Sequence, residues 1–157
     1  MSTGDHVNGQ FCTFVLDEHL FGVPVSSVQE VLKAQDLTAV PLAPTEVAGL
    51  INLRGQIVTT VDLRVRLGLP LRAPGTKSVN VVVRSLDGTP VSLVVDEIGD
   101  VLEPGAESFE PSPDTLAPEL RTLVRGVYKL DTRLMLLLDT ELAVSLGTTS
   151  YESAGAR

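Results

Sequence analysis

The chain has 157 residues, enough for one compact domain or for two small units that share a core. Its 12 basic and 20 acidic residues give a net charge of −8, so it lacks the excess of lysine and arginine with which proteins bind DNA, RNA or anionic membranes. One cysteine excludes an internal disulfide, and the chain shows neither a signal-like start nor an apolar run of roughly 18 residues, so we expect a cytoplasmic protein.

In chain order, a polar tail at residues 1–10 leads into short segments rich in valine, leucine and isoleucine and bounded by turn residues. We predict strands at 11–16, 20–25, 49–53, 57–61, 78–86, 90–95, 126–130 and 134–138. One segment departs from the pattern. In residues 26–32, Val28, Val31 and Leu32 have the spacing of one helix face, which predicts a short helical turn.

The stretch GLINLRGQIVTTVDLR, residues 49–64, predicts a hairpin around which the rest of the chain is organised. Gly55 can adopt the positive φ that a two-residue turn needs, so Arg54 lies where the chain bends. Asp62 can cap a short helix that Gly68 ends.

The remaining segments are turns, loops and one helix. Residues 68–77 are the most linker-like part of the chain, and residues 103–118, with four prolines and four acidic residues, predict a long surface loop with a short helix near its end. Asp139 begins a predicted closing helix that ends at residue 146, and residues 147–157 form a second polar tail.

The chain also repeats itself. FGVPVSSVQEVL at 21–32 is echoed by VSLVVDEIGDVL at 91–102, and VAGLINLRGQIVTTVDL at 47–63 by VRGVYKLDTRLMLLLDT at 124–140. Two similar all-β units, over about residues 11–70 and 76–146, account for this better than one large sandwich does. The sequence leaves open whether the two units exchange strands.

The two copies differ at the turn. Arg54-Gly55 in the first copy becomes Asp131-Thr132 in the second, so the fold does not need an arginine to close this hairpin. That difference favours a binding role for Arg54 over that of a merely solvated turn residue.

The copies differ again in their second strand. Residues 134–138 are continuously apolar, as in a strand buried on both faces, whereas Thr59 and Thr60 interrupt the first copy and predict that its hairpin keeps a polar surface. We therefore expect Leu136→Ala to destabilise the fold by roughly 2 to 5 kcal/mol and Thr60→Ala by much less.

Catalytic signatures are missing from the sequence. It contains no CxxC, HExxH, GxxxxGK[ST] or GxSxG motif, and His6 and His19 fall in a tail and a turn, so we expect no metal and no cofactor. Cys12 lies in a strand and is interpreted as a small buried hydrophobe. Asp62 and Asp139 are related by the repeat, as in an aspartic protease dyad, but neither is followed by the small residue and glycine which that site needs. We interpret both as helix caps.

Several segments of the chain resemble those of a known protein family. INLRGQIVTTVDLRVRLGL at 51–69 closely resembles the hallmark segment of the CheW family of chemotaxis coupling proteins. The blocks FGVPVSSVQEVL, Val40-Pro41, LVVDEIGDVL and GVYKLDTRLMLLLD also resemble family blocks in the family's order, which extends the resemblance over 11–146. The family usually has proline where Thr59 stands and glycine where Ser92 stands.

The resemblance implies two small five-stranded SH3-like β-barrels that share a hydrophobic core, with short helices and a C-terminal helix, and no catalytic activity. It implies an adaptor, monomeric when free, that ties a CheA-type histidine kinase to the cytoplasmic tips of chemoreceptors in membrane-associated arrays. It carries receptor binding over to Val28, Glu30, Asn52, Arg54 and Gly55, and it leaves the kinase-contact residues unknown.

The alternative is an unrelated β-barrel module that binds a peptide or a sugar. Such a module predicts aromatic platforms, whereas this chain has no tryptophan and only 4% aromatic residues.

Overall fold

The computed structural model describes residues 9–145. The predictions for the ends of the chain, at residues 1–8 and 146–157, lie outside the described residues.

Short strands dominate the described part of the chain. They are β1 (Phe11–Leu16), β2 (His19–Pro24), β3 (Val28–Lys33), β4 (Val47–Leu53), β5 (Gln56–Asp62), β6 (Val79–Arg84), β7 (Pro90–Val95), β8 (Glu97–Leu102), β9 (Phe109–Glu110), β10 (Val124–Lys129) and β11 (Leu134–Leu138). The helical segments are 3₁₀ turns at Val25–Ser27 and Ala106–Ser108, and helices α1 (Leu63–Arg66), α2 (Pro118–Leu123) and α3 (140–145). This composition confirms the all-β class with short helices.

The strands form two sheets. The six-stranded sheet has the order β8-β1-β2-β11-β10-β9, and the five-stranded sheet has the order β3-β6-β7-β5-β4. Neither sheet corresponds to one half of the chain. The five-stranded sheet takes five consecutive strands from the middle, while the first two strands join the last four in the other sheet. The exchange of strands that the sequence left open is therefore present in the sheet pairing.

The internal repeat reappears in the register of the sheets. A bulge follows Val28 where β3 pairs with β6, and an irregularity follows Ile98, its counterpart, where β8 pairs with β1. The hairpins β4–β5 and β10–β11 likewise share a shift, just before Gly49 in one and just before Gly126 in the other. In each sheet the hairpin pairs in parallel with one strand, β5 with β7 and β11 with β2. The two sheets are thus equivalent strand for strand, with β9 added to one.

The buried apolar side chains form three hydrophobic clusters. The largest lies between them and includes Phe14, Val61, Leu93 and Leu136. Each sheet also encloses a smaller cluster on its other face. The rings of Phe11 on β1 and Tyr128 on β10 lie 5.3 Å apart although three strand spacings, about 14 Å in a flat sheet, separate their strands. The six-stranded sheet is therefore strongly curled around its own cluster.

The predicted helical turn at residues 26–32 is wrong over most of its length. Only Val25–Ser27 form a 3₁₀ turn, and the rest is β3. The reason is the bulge after Val28, because an extra residue interrupts the two-residue alternation of a strand and leaves an apolar spacing that imitates a helix.

The predicted polar surface of the central hairpin is also wrong at Thr60. Its side chain is buried on β5, and its hydroxyl oxygen has no hydrogen-bond partner within the described residues. On the same strand the exposed apolar residue is Ile57. Residue type alone misassigned Thr60, since the pleat decides which side chains face the interior.

The predicted caps are confirmed. The Asp62 carboxylate accepts a hydrogen bond from the amide of Arg64 at 3.0 Å at the start of α1, and Asp139 accepts one from the amide of Leu142 at 3.1 Å at the start of α3. The predicted loop at 103–118 additionally contains the short strand β9, which pairs with β10.

Candidate functional site

The turn between β4 and β5 presents Arg54 to solvent. Arg54 has φ of 52° and Gly55 has φ of 87°, the pair of positive values that defines the tight hairpin turn predicted from the sequence. Asn52 reinforces the turn, because its side-chain oxygen accepts a hydrogen bond from the amide of Gly55 at 2.8 Å. The Arg54 side chain is 68% exposed.

The guanidinium of Arg54 forms an ion pair with Glu30. Glu30 lies on β3 and Arg54 follows β4, and these two strands are the opposite edges of the five-stranded sheet. The ion pair therefore bridges the opening between the two edges, and we call this surface the Arg54 groove, comprising Glu30, Asn52, Arg54 and Gly55. Leu32, Ile51 and Leu53 form part of the apolar cluster that this sheet encloses.

The charge of Glu30 is stabilised by its neighbours. The hydrogen bond from Arg54 lowers the pKa of Glu30, partial burial opposes this, and a weaker contact from the side-chain amide of Gln29 at 3.4 Å lowers the pKa further. Glu30 is therefore held as an anion, and the groove presents a fixed cation beside a fixed anion.

The structure brings four of the five predicted receptor-binding residues together in the Arg54 groove. Val28 stands apart. It lies before the bulge of β3 and is half-buried, packed against the main core. Its receptor-binding role, which the family resemblance implied, stays a prediction.

Sequence reasoning missed a second polar cluster, centred on Asp96 between β7 and β8. Its carboxylate accepts hydrogen bonds from Arg64 at 2.5 and 3.0 Å, from Arg72 at 2.8 Å and from the amide of Asp17 at 2.7 Å. Burial alone would raise the pKa of Asp96, but these hydrogen bonds outweigh it and lower the pKa to about 2. The cluster ties the linker after α1 to the junction between the sheets. The Asp-Leu-Arg of the hallmark segment was its only signal in the sequence.

Within residues 9–145 we find no group of His, Cys, Asp and Glu side chains placed to hold a metal ion. Cys12 is half-buried rather than buried and packs against the main core, and burial raises the pKa of its thiol. None of the helices in this part of the chain has the length and apolar character needed to cross a membrane.

Comparison with known proteins decides the family. The CheW-like domain family matches residues 10–146. The chain belongs to the CheW-like family. It is 33% identical to the chemotaxis protein CheW of Klebsiella aerogenes, over 90% of this chain and 85% of that protein. It is 30% identical to a probable chemotaxis protein CheW of Rhizobium etli, over 87% of each chain.

A solved CheW structure has the same fold. The crystal structure of the scaffolding protein TtCheW from Thermoanaerobacter tengcongensis matches with a TM-score of 0.74 and 30% identity, over 84% of this chain and 89% of that one. Membership of the CheW-like family removes the alternative of an unrelated β-barrel binding module.

Proposed function

We propose that this CheW-like protein is a non-catalytic adaptor that couples a CheA-type histidine kinase to the cytoplasmic tips of chemoreceptors. The family match along residues 10–146, and relatives that are chemotaxis and scaffolding proteins, support this proposal. The receptor would dock on the Arg54 groove, which Glu30, Asn52 and Gly55 shape. Val28 would contribute by packing the start of β3 against the main core.

The backbone of Arg54 is the observation that carries the proposal. A left-handed conformation costs a residue other than glycine roughly 1 to 2 kcal/mol, and the first position of such a turn favours asparagine, aspartate or glycine. Arginine is therefore a poor choice for the turn itself. Its side chain, with five donors in a planar fork, is well suited to the carbonyl and carboxylate oxygens of a docked helix.

The ion pair supports the same role. Arg54 is largely exposed, and surface pairs of this kind contribute at most about 1 kcal/mol to folding. Its pairing with Glu30 is better explained as holding the guanidinium in one place than as stabilising the fold. A pre-positioned cation loses less entropy when a partner binds.

Arg54→Asn tests the proposal more sharply than Arg54→Ala, because asparagine suits the turn while removing the guanidinium. We expect Arg54→Ala to keep a melting temperature close to that of the wild type and Arg54→Asn to keep or raise it. We expect both variants to bind an isolated receptor tip at least about tenfold more weakly, a loss of about 1.4 kcal/mol. Isothermal titration with the receptor tip measures this. Arg125→Ala removes an exposed arginine from the other sheet and serves as the control.

Binding of the kinase regulatory domain is measured with the same variants. We expect it to be unchanged, because the proposal assigns only the receptor contact to the Arg54 groove. Unchanged receptor binding by folded Arg54→Asn protein would mean that Arg54 is merely a solvated turn residue. Loss of both partners in a folded variant would mean that the groove is not specific to the receptor.

A further inference from the structure

A pocket of about 660 Å³ opens on the six-stranded sheet, away from the Arg54 groove. It lies between β8, the loop after β8 and the turn that joins β10 to β11. Apolar side chains contribute to its wall: Val15, Leu20, Leu102 and Leu130. Four carboxylates also line it, from Glu97, Asp100, Glu107 and Asp131, against the two cations of Lys129 and Arg133. Lys129 already pairs with Glu110 at 3.0 Å.

The internal repeat relates two residues of this pocket to Glu30 and Arg54 in the other sheet. Asp100 on β8 is the counterpart of Glu30 on β3, and Asp131 in the second hairpin turn is the counterpart of Arg54. In the five-stranded sheet these two positions hold an anion and a cation, which pair across the opening. In the six-stranded sheet both positions hold carboxylates. Like charges attract no partner in each other, so the ion pair that joins these two positions in the other sheet has no equivalent between Asp100 and Asp131.

The backbone at Asp100 is held by its neighbours on β1. The buried hydroxyl of Thr13 donates a hydrogen bond of 2.6 Å to the backbone oxygen of Asp100. Gly99 lets the strands approach this closely, because a Cβ there would lie 2.5 Å from the Thr13 hydroxyl oxygen. The backbone of the bulged part of β8 is therefore held against β1.

We propose that this pocket is a docking site for an exposed peptide segment that carries an arginine between aliphatic residues. The guanidinium would lie between Asp100 and Asp131, as Arg54 meets Glu30 in the other sheet, and the flanking aliphatic side chains would pack on Leu102 and Leu130. Charge complementarity selects the cation and the apolar wall selects its neighbours. The site goes beyond the proposed receptor coupling and does not depend on it, since it lies in the other sheet.

A metal ion is a poorer occupant of the same pocket. The carboxylates among the described residues do not converge into a group that could hold a metal. They are spread around an apolar wall, whereas hard cations need six or more oxygen ligands close together. An extended guanidinium with aliphatic neighbours matches both features.

The test uses the full-length protein and the tripeptide amide N-acetyl-Leu-Arg-Leu, with its Leu-Glu-Leu twin as the matched probe. Backbone amide signals are followed by NMR during titration. We expect saturable shifts centred on Gly99, Asp100 and Asp131, with a Kd on the order of a millimolar for so small a ligand. We expect binding to weaken as salt is added, and no saturable shifts with the Leu-Glu-Leu peptide.

The decisive variant is Asp131→Arg, which supplies from within the chain the cation that the other sheet already has. We expect it to raise the Kd for the arginine peptide at least about tenfold. Asp36→Arg makes the same change of charge at an exposed loop position of the other sheet, and we expect it to leave the Kd within about twofold of the wild type. Asp100→Asn is the second variant should Asp131→Arg fail to fold, and the same weakening is expected.

Three results would overturn the proposal. They are the absence of saturable shifts at the pocket, equal binding of the Leu-Glu-Leu peptide, and an unchanged Kd in folded Asp131→Arg or Asp100→Asn protein. A Kd for the arginine peptide that rises as much in Asp36→Arg as in Asp131→Arg would show attraction to the net charge of the protein. That result would likewise contradict a specific site.

Discussion

Asp96 shows at the scale of one residue how a carboxylate joins separate parts of the chain. It connects the linker after α1 and the first hairpin turn to the junction of β7 and β8. Only 15% of its side chain is exposed, and the Arg64 and Arg72 side chains are similarly covered at 12% and 13%. An arginine left without its anion in such a place would lose both a hydrogen bond and a favourable charge.

We therefore predict that Asp96→Asn destabilises the protein at pH 7 by roughly 2 kcal/mol. The pKa of Asp96 in the folded state, about 2, lies below its ordinary value of 3.8. The stabilisation is thus complete above about pH 4 and is lost as the pH falls through about 2. Urea denaturation at a series of pH values should show the difference between wild type and variant shrinking over that interval. A pH-independent difference, or an equal effect of the exposed Asp36→Asn, would contradict the assignment.

Thr60 is the second residue whose environment only the structure reveals. It pairs in parallel register with Ser92, but the Ser92 hydroxyl accepts from the side-chain amide of Asn80 at 2.8 Å, and no partner for Thr60 is found in the described part of the chain. A buried hydroxyl without a partner costs about 1 to 3 kcal/mol. Because Thr60 is buried, we expect the difference in destabilisation between Thr60→Ala and Leu136→Ala to be smaller than the sequence alone predicts.

We predict that Thr60→Val raises the free energy of unfolding, because it removes the buried hydroxyl while keeping a branched side chain of similar size. Leu136→Ala should lower it by roughly 2 to 5 kcal/mol, as at other buried leucines. Midpoints of chemical denaturation measure both changes. A lower midpoint for Thr60→Val would mean that the hydroxyl has a hydrogen bond that the structure does not show.

At the scale of an element, the β4–β5 hairpin combines a strained turn with an exposed side chain, that of Arg54, for which we propose a binding role. Gly55 has φ of 87°, and a Cβ added there would meet no atom within 4 Å. The requirement for glycine is therefore one of backbone conformation alone.

From this we predict that Gly55→Ala destabilises the protein by about 1 kcal/mol. Gly75→Ala is the matched control, since Gly75 has φ of 81° and equally open surroundings in a loop. The two variants should lose similar stability in thermal unfolding. A much larger loss for Gly55→Ala would show that the turn anchors more than its own two strands.

At the scale of the whole molecule, the exchange of strands makes the two sheets interdependent. The main core takes side chains from both, and β2 passes directly into β3 on the other sheet through a single 3₁₀ turn. Neither sheet can lose its strands without exposing the apolar face of the other.

We expect the protein to unfold as one cooperative unit despite its internal repeat. Amide NMR signals from β1 and β10 in one sheet and from β6 and β4 in the other should disappear at the same denaturant concentration. Two separate midpoints would show that each sheet is stable alone and that the shared core contributes little.

The sequence by itself determined the features that depend only on residues close together in the chain. The pattern of apolar residues predicted eight of the eleven described strands and missed β3, β8 and β9. Gly55 and Arg54 predicted the turn, and Asp62 and Asp139 predicted the helix caps, because each is decided within a few positions of the chain. The repeat also marked Arg54 as a residue that the hairpin does not need.

Only the tertiary structure decided which strands share a sheet. The energy of strand pairing depends on residues far apart in the chain, and the apolar pattern of a strand is the same whichever neighbour it has. For that reason the exchange of strands, the burial of Thr60 and the Asp96 cluster were not predicted. The bulge in β3 was mistaken for a helical turn because one extra residue changes the period from which strands are recognised. The pocket beside Asp100 was not predicted either, because it forms only where β8 lies close to the β10–β11 turn, and these two segments are far apart in the chain.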